Sequence, residues 1–296
     1  MRSPNGGASG LKSNGRPAET HPIRRLPSTR LRSLAATLAA CAALLLAAAP
    51  ASAIIAGQPD YNTHPYVGTL VAYYPGYGLV PYCSGTLVSA TSFVTAAHCV
   101  TDLPPGVSLR GLSFAPSPFE DRELASHLVP IGGIHWHPAF QPGDMFFDVA
   151  VIDLASPVAG PYGALPALGS LEPLQSAKGP ASVDFTIVGY GWEQFLPHSS
   201  GLGVRLVATS RLLDIEYSTK RQPGNLAVSS ALKLTNEPAL GGGICYSDSG
   251  GPHFASSTTN VVAAISVAGT MNCTGIHYAL RLDTLPVLGF LAQYVK

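Results

Sequence analysis

Short β-prone runs recur between turn residues along most of this chain, and their spacing sets what it can fold into. "YVGTLVAYY", "GTLVSATSFVTAA", "DVAVIDL", "SVDFTIVGYGW" and "NVVAAISVAG" are rich in Val, Ile, Thr and aromatic residues. Runs of this kind, bounded by Gly, Pro, Asn and Asp, predict barrels or sandwiches rather than βαβ units. A Pro- and Gly-rich passage, residues 156–180, separates an earlier set of strands from a later one and predicts two β subdomains joined by a linker. Only the end reads as helical, with Asp283 as the expected cap and Leu285, Leu288 and Leu291 along one face. No internal repeat is evident.

Residues 1–53 have a different character. Arg2, Lys12, Arg16, Arg24, Arg25, Arg30 and Arg32 stand against one acid, Glu19, before an apolar run from Leu34 to Ala49. Pro50 and the small residues Ala51, Ser52 and Ala53 follow, so the segment reads as a secretory signal cut after Ala53. A membrane span is the alternative for the apolar run, but the proline break and small-residue exit favour cleavage. A lipid anchor at Cys41 is disfavoured because the apolar core continues beyond it. Roughly 240 residues then remain, a length that one all-β domain reaches. They hold 16 of the 17 acidic residues, so the remainder is mildly acidic and gives no support for nucleic-acid binding. With 46% hydrophobic and 11% charged residues, the composition is that of a folded chain rather than a disordered one. Cys83, Cys99, Cys245 and Cys273 are left after the leader, and an even number in an exported chain suggests disulfides. Their three possible pairings stay open at this point.

Chemistry concentrates in three places. "VTAAHCV" ends an apolar strand with His98. "FFDVAVIDL" puts Asp148 in an apolar strand, where a carboxylate is costly to bury unless paired. "GGGICYSDSGGPHF" packs Ser249 among Asp248, Gly250, Gly251 and Pro252, a tight turn able to expose a hydroxyl beside free backbone N–H groups. A serine is a poor nucleophile until a histidine takes its proton, and the histidine needs a carboxylate to hold its tautomer. The order His98, Asp148, Ser249 separates the chain from the α/β-hydrolases, in which serine comes first.

On these residues the chain resembles the trypsin-like (chymotrypsin-fold) serine proteases over residues 54–296. "TAAHC" and "DSGGP" carry the resemblance, "DVAVIDL" resembles the family's Asp-Ile-Ala-Leu segment, "CSGTLVS" its "CGGSLIS", and "VGYGW" its "GWG" turn. The resemblance implies an all-β fold of two six-stranded antiparallel barrels, about residues 54–160 and 170–282, with a C-terminal helix at about 283–296. It implies a His98–Asp148–Ser249 triad in the crevice between the barrels, and the pairings Cys83–Cys99 and Cys245–Cys273. It also implies that Ser266 supports the aspartate and that residues 266–268 pair with substrate. The segment "IIAG" beginning at Ile54 is similar to the family's mature start, whose freed α-amino group pairs with the acid before the nucleophile, Asp248 in this chain. The signal-peptide cut would itself free that end.

One departure is Ser247, where the family has glycine; its N–H and that of Ser249 would form the oxyanion hole. A side chain there makes the backbone geometry harder to reach, so Ser247→Gly is expected to raise turnover. At the specificity pocket, Gly243 and Ile244 stand where trypsins place an acid and its neighbour, with Val267, Ala268 and Gly275 on the walls. A pocket without a carboxylate predicts small to medium apolar side chains before the scissile bond. His135 and His137 are weak metal candidates for want of a third ligand, and Glu120, Asp121 and Glu123 read as a solvated turn rather than a calcium loop. Asn272, Cys273 and Thr274 fit a glycosylation sequon. The expectation is a secreted monomeric endopeptidase acting on peptides or proteins, with no cofactor, metal, nucleic acid or stable membrane association. The competing readings are a binding module with weak or no catalysis and an acyl ester hydrolase.

Overall fold

The computed structural model describes residues 54–176, 179–180, 183–192, 202–219 and 226–296. The expected signal segment lies outside the described residues. The chain enters through β1 (Gln58–Pro59) and then builds a first barrel from β2 (Val67–Tyr74), β3 (Gly78–Leu87), β4 (Ser92–Thr95), β5 (Ser108–Ser113), β6 (Ile131–Trp136) and β7 (Ala150–Leu154). Their order is β5-β2-β3-β4-β7-β6, every pairing antiparallel. A bridge between Leu112 and Val129 brings the two ends of this sheet together. β2 is buried along its first six residues because both of its faces are covered, so it reads as a continuous apolar run.

A two-residue ladder of β8 (Gln175–Ser176) and β9 (Gly179–Pro180) leads into the second barrel. Its strands are β10 (Asp184–Gly189), β11 (Leu206–Tyr217), β12 (Ser230–Asn236), β13 (Pro252–Phe254), β14 (Val262–Gly269) and β15 (Gly275–Arg281). The order is β11-β10-β13-β14-β15-β12, and pairing of β11 with β12 closes the ring. β1 adds to β11 and so ties the start of the domain to this second barrel. Disulfides join Cys83 to Cys99 and Cys245 to Cys273, closing loops whose length corresponds to roughly 3 kcal/mol each in the chain-entropy account.

Among the described residues the α-helices are α1 (His98–Thr101), α2 (Leu124–His127) and α3 (Leu285–Tyr294). The face of α3 differs from the expected one, since Val287, Phe290 and Leu291 are buried while Leu285 is 55% exposed. Asp283 is not its cap either. It is fully buried, accepting from Arg281 Nε and Nη2 at 2.9 Å each and from the Leu171 N–H at 2.7 Å, and Thr284 holds the cap position. A buried arginine two residues earlier claims the carboxylate more strongly than helix N–H groups do.

Between the barrels lies a second buried arginine. Arg205 pairs with Asp60 at 2.9 Å and donates to the carbonyls of Val67 and Phe114, the Tyr190 hydroxyl and the Asn62 side chain. Burying such a charge is favourable only when its donors are satisfied to this extent. The clasp fixes the segment after Ile54 against both barrels.

Candidate active site

The crevice between the barrels brings together residues from all three singled-out segments. His98 follows β4 and Asp148 precedes β7; pairing of those strands, with Thr95 opposite Ala150, sets the two side by side. His98 Nδ1 lies 2.6 Å from Asp148 Oδ2, and the His98 backbone N–H donates to Oδ1 at 2.9 Å. These bonds compensate a carboxylate that is 1% exposed. With Nδ1–H donating to Asp148, the lone pair is left on Nε2. Burial works against the imidazolium, but the hydrogen bond to Asp148 and the charges of Asp148 and Asp102 outweigh it, raising the His98 pKa above the usual histidine value.

Ser249 sits in a turn closed by Asp248 N–H to the Cys245 carbonyl at 3.1 Å and Gly251 N–H to the Asp248 carbonyl at 2.9 Å. Gly250 must be glycine: its φ is +79°, and a Cβ there would stand 2.1 Å from Thr95 Oγ1. Ser249 and His98 line the same two cavities. Among the described residues no hydrogen bond joins them, and His98 Nε2 lies 3.8 Å from Cys99 Sγ.

The N–H groups of Ser247 and Ser249 have no hydrogen-bond partner among the described residues. The Tyr246 carbonyl accepts the Trp192 N–H at 3.0 Å, which turns the N–H of that planar peptide to the opposite side. Ser247 has φ +73°, unusual for a residue with a side chain. Its hydroxyl donates to the Pro81 carbonyl at 3.1 Å.

Asp248 is buried behind the turn, accepting the Gly191 N–H at 2.8 Å and the Cys245 N–H at 2.9 Å. Burial pushes its pKa up to about 7 even though those two bonds oppose the rise. Ile54 is 1% exposed and packs with Ile187, Leu206, Ala208 and Ile244, while Ile55 exchanges hydrogen bonds of 3.0 and 3.1 Å with Gly243. That bridge commits Gly243 to the N-terminal segment, and a Cβ there would meet Asn236 Oδ1 at 1.6 Å.

A cavity of about 340 Å³ beside Ser249 is lined by Ile244, Val267, Ala268, Gly269 and the Cys245–Cys273 disulfide, with no Asp or Glu among the described lining residues. A bulge between Ser266 and Ala268 leaves Val267 out of the ladder. Ser266 does not line this cavity: it is 1% exposed, and its backbone bonds Gly250 and Gly251. Nor does Gly275, whose N–H donates to Glu237. A second cavity, of about 450 Å³, lies across Ser249 and is walled by Tyr82, Trp192, Tyr246 and Ser247.

The remaining candidates have other partners. His135 bonds Asp153 at 3.0 Å and stacks on Tyr294, whereas His137 stacks on Phe147. Asp121 pairs with His127. Cys83, His98 and Cys99 cluster closely enough for a metal, but the two cysteines are joined as a disulfide and offer no thiolate. Sequence reasoning missed Arg205, Tyr190 and Ser84. For Ser84 a signal existed, since "CSGTLVS" carries serine where the resembled "CGGSLIS" has glycine.

The sequence model described as Trypsin matches residues 54–283. A vitellin-degrading protease of Bombyx mori is 29% identical over 177 residues, covering 57% of this chain and 61% of the relative. Serine protease 56 of Homo sapiens is 29% identical over 174 residues, covering 58% of this chain and 27% of the relative. Serine protease 57 of Mus musculus is 30% identical over 179 residues, covering 58% of each. The matched part thus spans less than two thirds of each of these relatives.

Proposed function

This chain belongs to the trypsin family, and from that premise we propose that it is a secreted serine endopeptidase whose triad is His98, Asp148 and Ser249. The observation that carries the reading is the Nδ1–Asp148 bond of 2.6 Å on a histidine that lines one cavity with Ser247 and Ser249, whose N–H groups are unpaired. His98 Nε2 takes the Ser249 hydroxyl proton as Oγ attacks the peptide carbonyl. The oxyanion that forms accepts from the N–H groups of Ser247 and Ser249, and His98 then gives its proton to the leaving amine. Water, deprotonated by His98 in turn, adds to the acyl carbon, and His98 returns that proton to Ser249 Oγ as the bond between them breaks.

The 340 Å³ cavity supports small to medium apolar side chains before the scissile bond, because a Lys or Arg there would lose its hydration without gaining a carboxylate. Removal of residues 1–53 during export would free the Ile54 α-amino group to pair with Asp248. Both disulfides fit an oxidising compartment, and among the described residues no helix is long and apolar enough to cross a membrane. The unpaired N–H groups favour an enzyme over a catalytically silent binding module.

The test is hydrolysis of a peptide library by the chain beginning at Ile54. Peptides with Ala, Val or Leu before the cut are expected to exceed those with Arg or Lys by at least about tenfold. Ser249→Ala is expected to remove nearly all turnover while leaving the fold intact. A preference for Arg contradicts the pocket assignment, and turnover retained by Ser249→Ala contradicts the mechanism.

A further inference from the structure

Strand β3 of the first barrel grips the nucleophile turn of the second at three points. The Ser84 N–H donates to the Ser249 carbonyl at 2.8 Å, the Ser84 hydroxyl donates to the Ser247 carbonyl at 2.9 Å, and the Ser247 hydroxyl donates to the Pro81 carbonyl at 3.1 Å. The first of these needs only a backbone. The other two need hydroxyls at positions 84 and 247. Ser84 is fully buried, and its oxygen also accepts the Tyr190 N–H at 3.0 Å. One hydroxyl therefore spans the Ser247 carbonyl and the residue just before Gly191, whose own N–H holds Asp248.

Resting on the proposed peptidase reading, we propose that Ser84 and the Ser247 side chain are positioning residues, a two-hydroxyl latch that aims the oxyanion-binding N–H groups. The Ser247 φ of +73° is one that glycine adopts freely and serine does not. The residue stays there because the chain is held on both sides of the torsion. Before it, the Tyr246 carbonyl is bound by the Trp192 N–H; after it, the Ser247 carbonyl is bound by Ser84. The side chain is bound by Pro81. Without these anchors the peptide planes flanking Ser247 can rotate, and an N–H shifted from the forming oxyanion loses much of its value. Ser247 is on this account a replacement for glycine that exchanges backbone freedom for a fixed orientation. The expected sign for Ser247→Gly is thereby reversed from the one the sequence suggests.

The test compares kcat, KM and affinity for a peptidyl boronic acid, which forms a tetrahedral adduct on the nucleophile, across variants of the chain beginning at Ile54. Ser84→Ala is expected to lower kcat roughly 10- to 100-fold and to weaken the boronate in proportion, with KM within about twofold, because the oxyanion exists only in the transition state. Ser247→Ala is expected to lose more than Ser247→Gly, since alanine keeps the backbone restriction and loses the tether. Ser84 is buried; should Ser84→Ala fail to fold, the half-buried Ser247 pair decides alone. A merely structural role would lower the melting temperature and leave kcat and boronate affinity unchanged. That result, or a rise in kcat for Ser247→Gly, overturns the latch. An unsubstituted chain without peptidase activity overturns the parent reading and the latch with it, whereas an active chain indifferent to both hydroxyls overturns the latch alone.

Discussion

Ser247 and Ile54 both hold a left-handed backbone, with φ of +73° and +58°, but the two are held there in different ways. Ser247 is tied through its hydroxyl and its carbonyl to the first barrel. Among the described residues Ile54 has no such polar tie. Its side chain is packed into an apolar cluster, its carbonyl accepts only the Gly57 N–H, and as a β-branched residue it tolerates this φ poorly. The torsion at Ile54 exists only while a residue precedes it, and a left-handed φ there is unfavourable for a β-branched side chain. Cutting after Ala53 would remove the strain, keep the packing and create a charge for Asp248. Ser247 is thus a fixture and Ile54 the place of a proposed switch.

The largest expected effect separates the two directly. A Gly-Ser extension that cannot be removed from Ile54 should leave a folded chain whose kcat/KM is lower by roughly 100- to 1000-fold, the scale of a lost oxyanion donor. Asp248→Asn in the chain starting at Ile54 should behave alike. Assay together with N-terminal sequencing checks this, and full activity in a chain that retains its extension breaks the comparison.

A second effect is on stability against pH. In the extended chain Asp248 has no ammonium partner, and burial pushes its folded pKa up to about 7, well above the ordinary aspartate value of 3.8. The folded chain then binds that proton more tightly than the unfolded one does. Its stabilising effect is full below pH about 4 and is lost as pH rises through about 7, a change of a few kcal/mol. Denaturant melts across that range should show the loss in the extended chain, and Asp248→Asn should abolish it. After cleavage the ammonium favours the carboxylate, so the loss should shrink. Equal pH dependence in the two forms would mean that Ile54 does not reach Asp248.

The smallest effect sharpens the point about strain. Ile54→Gly removes buried apolar area in both forms but relieves the torsion only in the extended one. It should therefore destabilise the extended chain less than the cleaved chain, by about 1–2 kcal/mol, as read from urea midpoints. A larger loss in the extended chain would remove the strain argument.

What the sequence disclosed and what it concealed follow one physical line. His98 and Ser249 stand out because each lies in a short contiguous motif; the β-prone strands disclose an all-β chain in two parts, and the barrel form entered only with the family resemblance. The bonds that cross the barrels were not legible. Ser84 and Ser247 are 163 positions apart, and Asp60 and Arg205 145 apart; only the packing of the two sheets against each other brings such pairs together. Asp283 was misread for the same reason, since a helix-start pattern is local whereas Arg281 and the Leu171 N–H reach it through tertiary packing.

Each of these effects on activity requires that chemistry occur at Ser249. The most direct measurement is mass-spectrometric mapping of a fluorophosphonate adduct on the chain that starts at Ile54, alongside its His98→Ala variant. The account predicts one adduct, on Ser249, formed far more slowly when His98 is gone. An adduct on another residue, no adduct at all, or one whose rate is indifferent to His98 would contradict it.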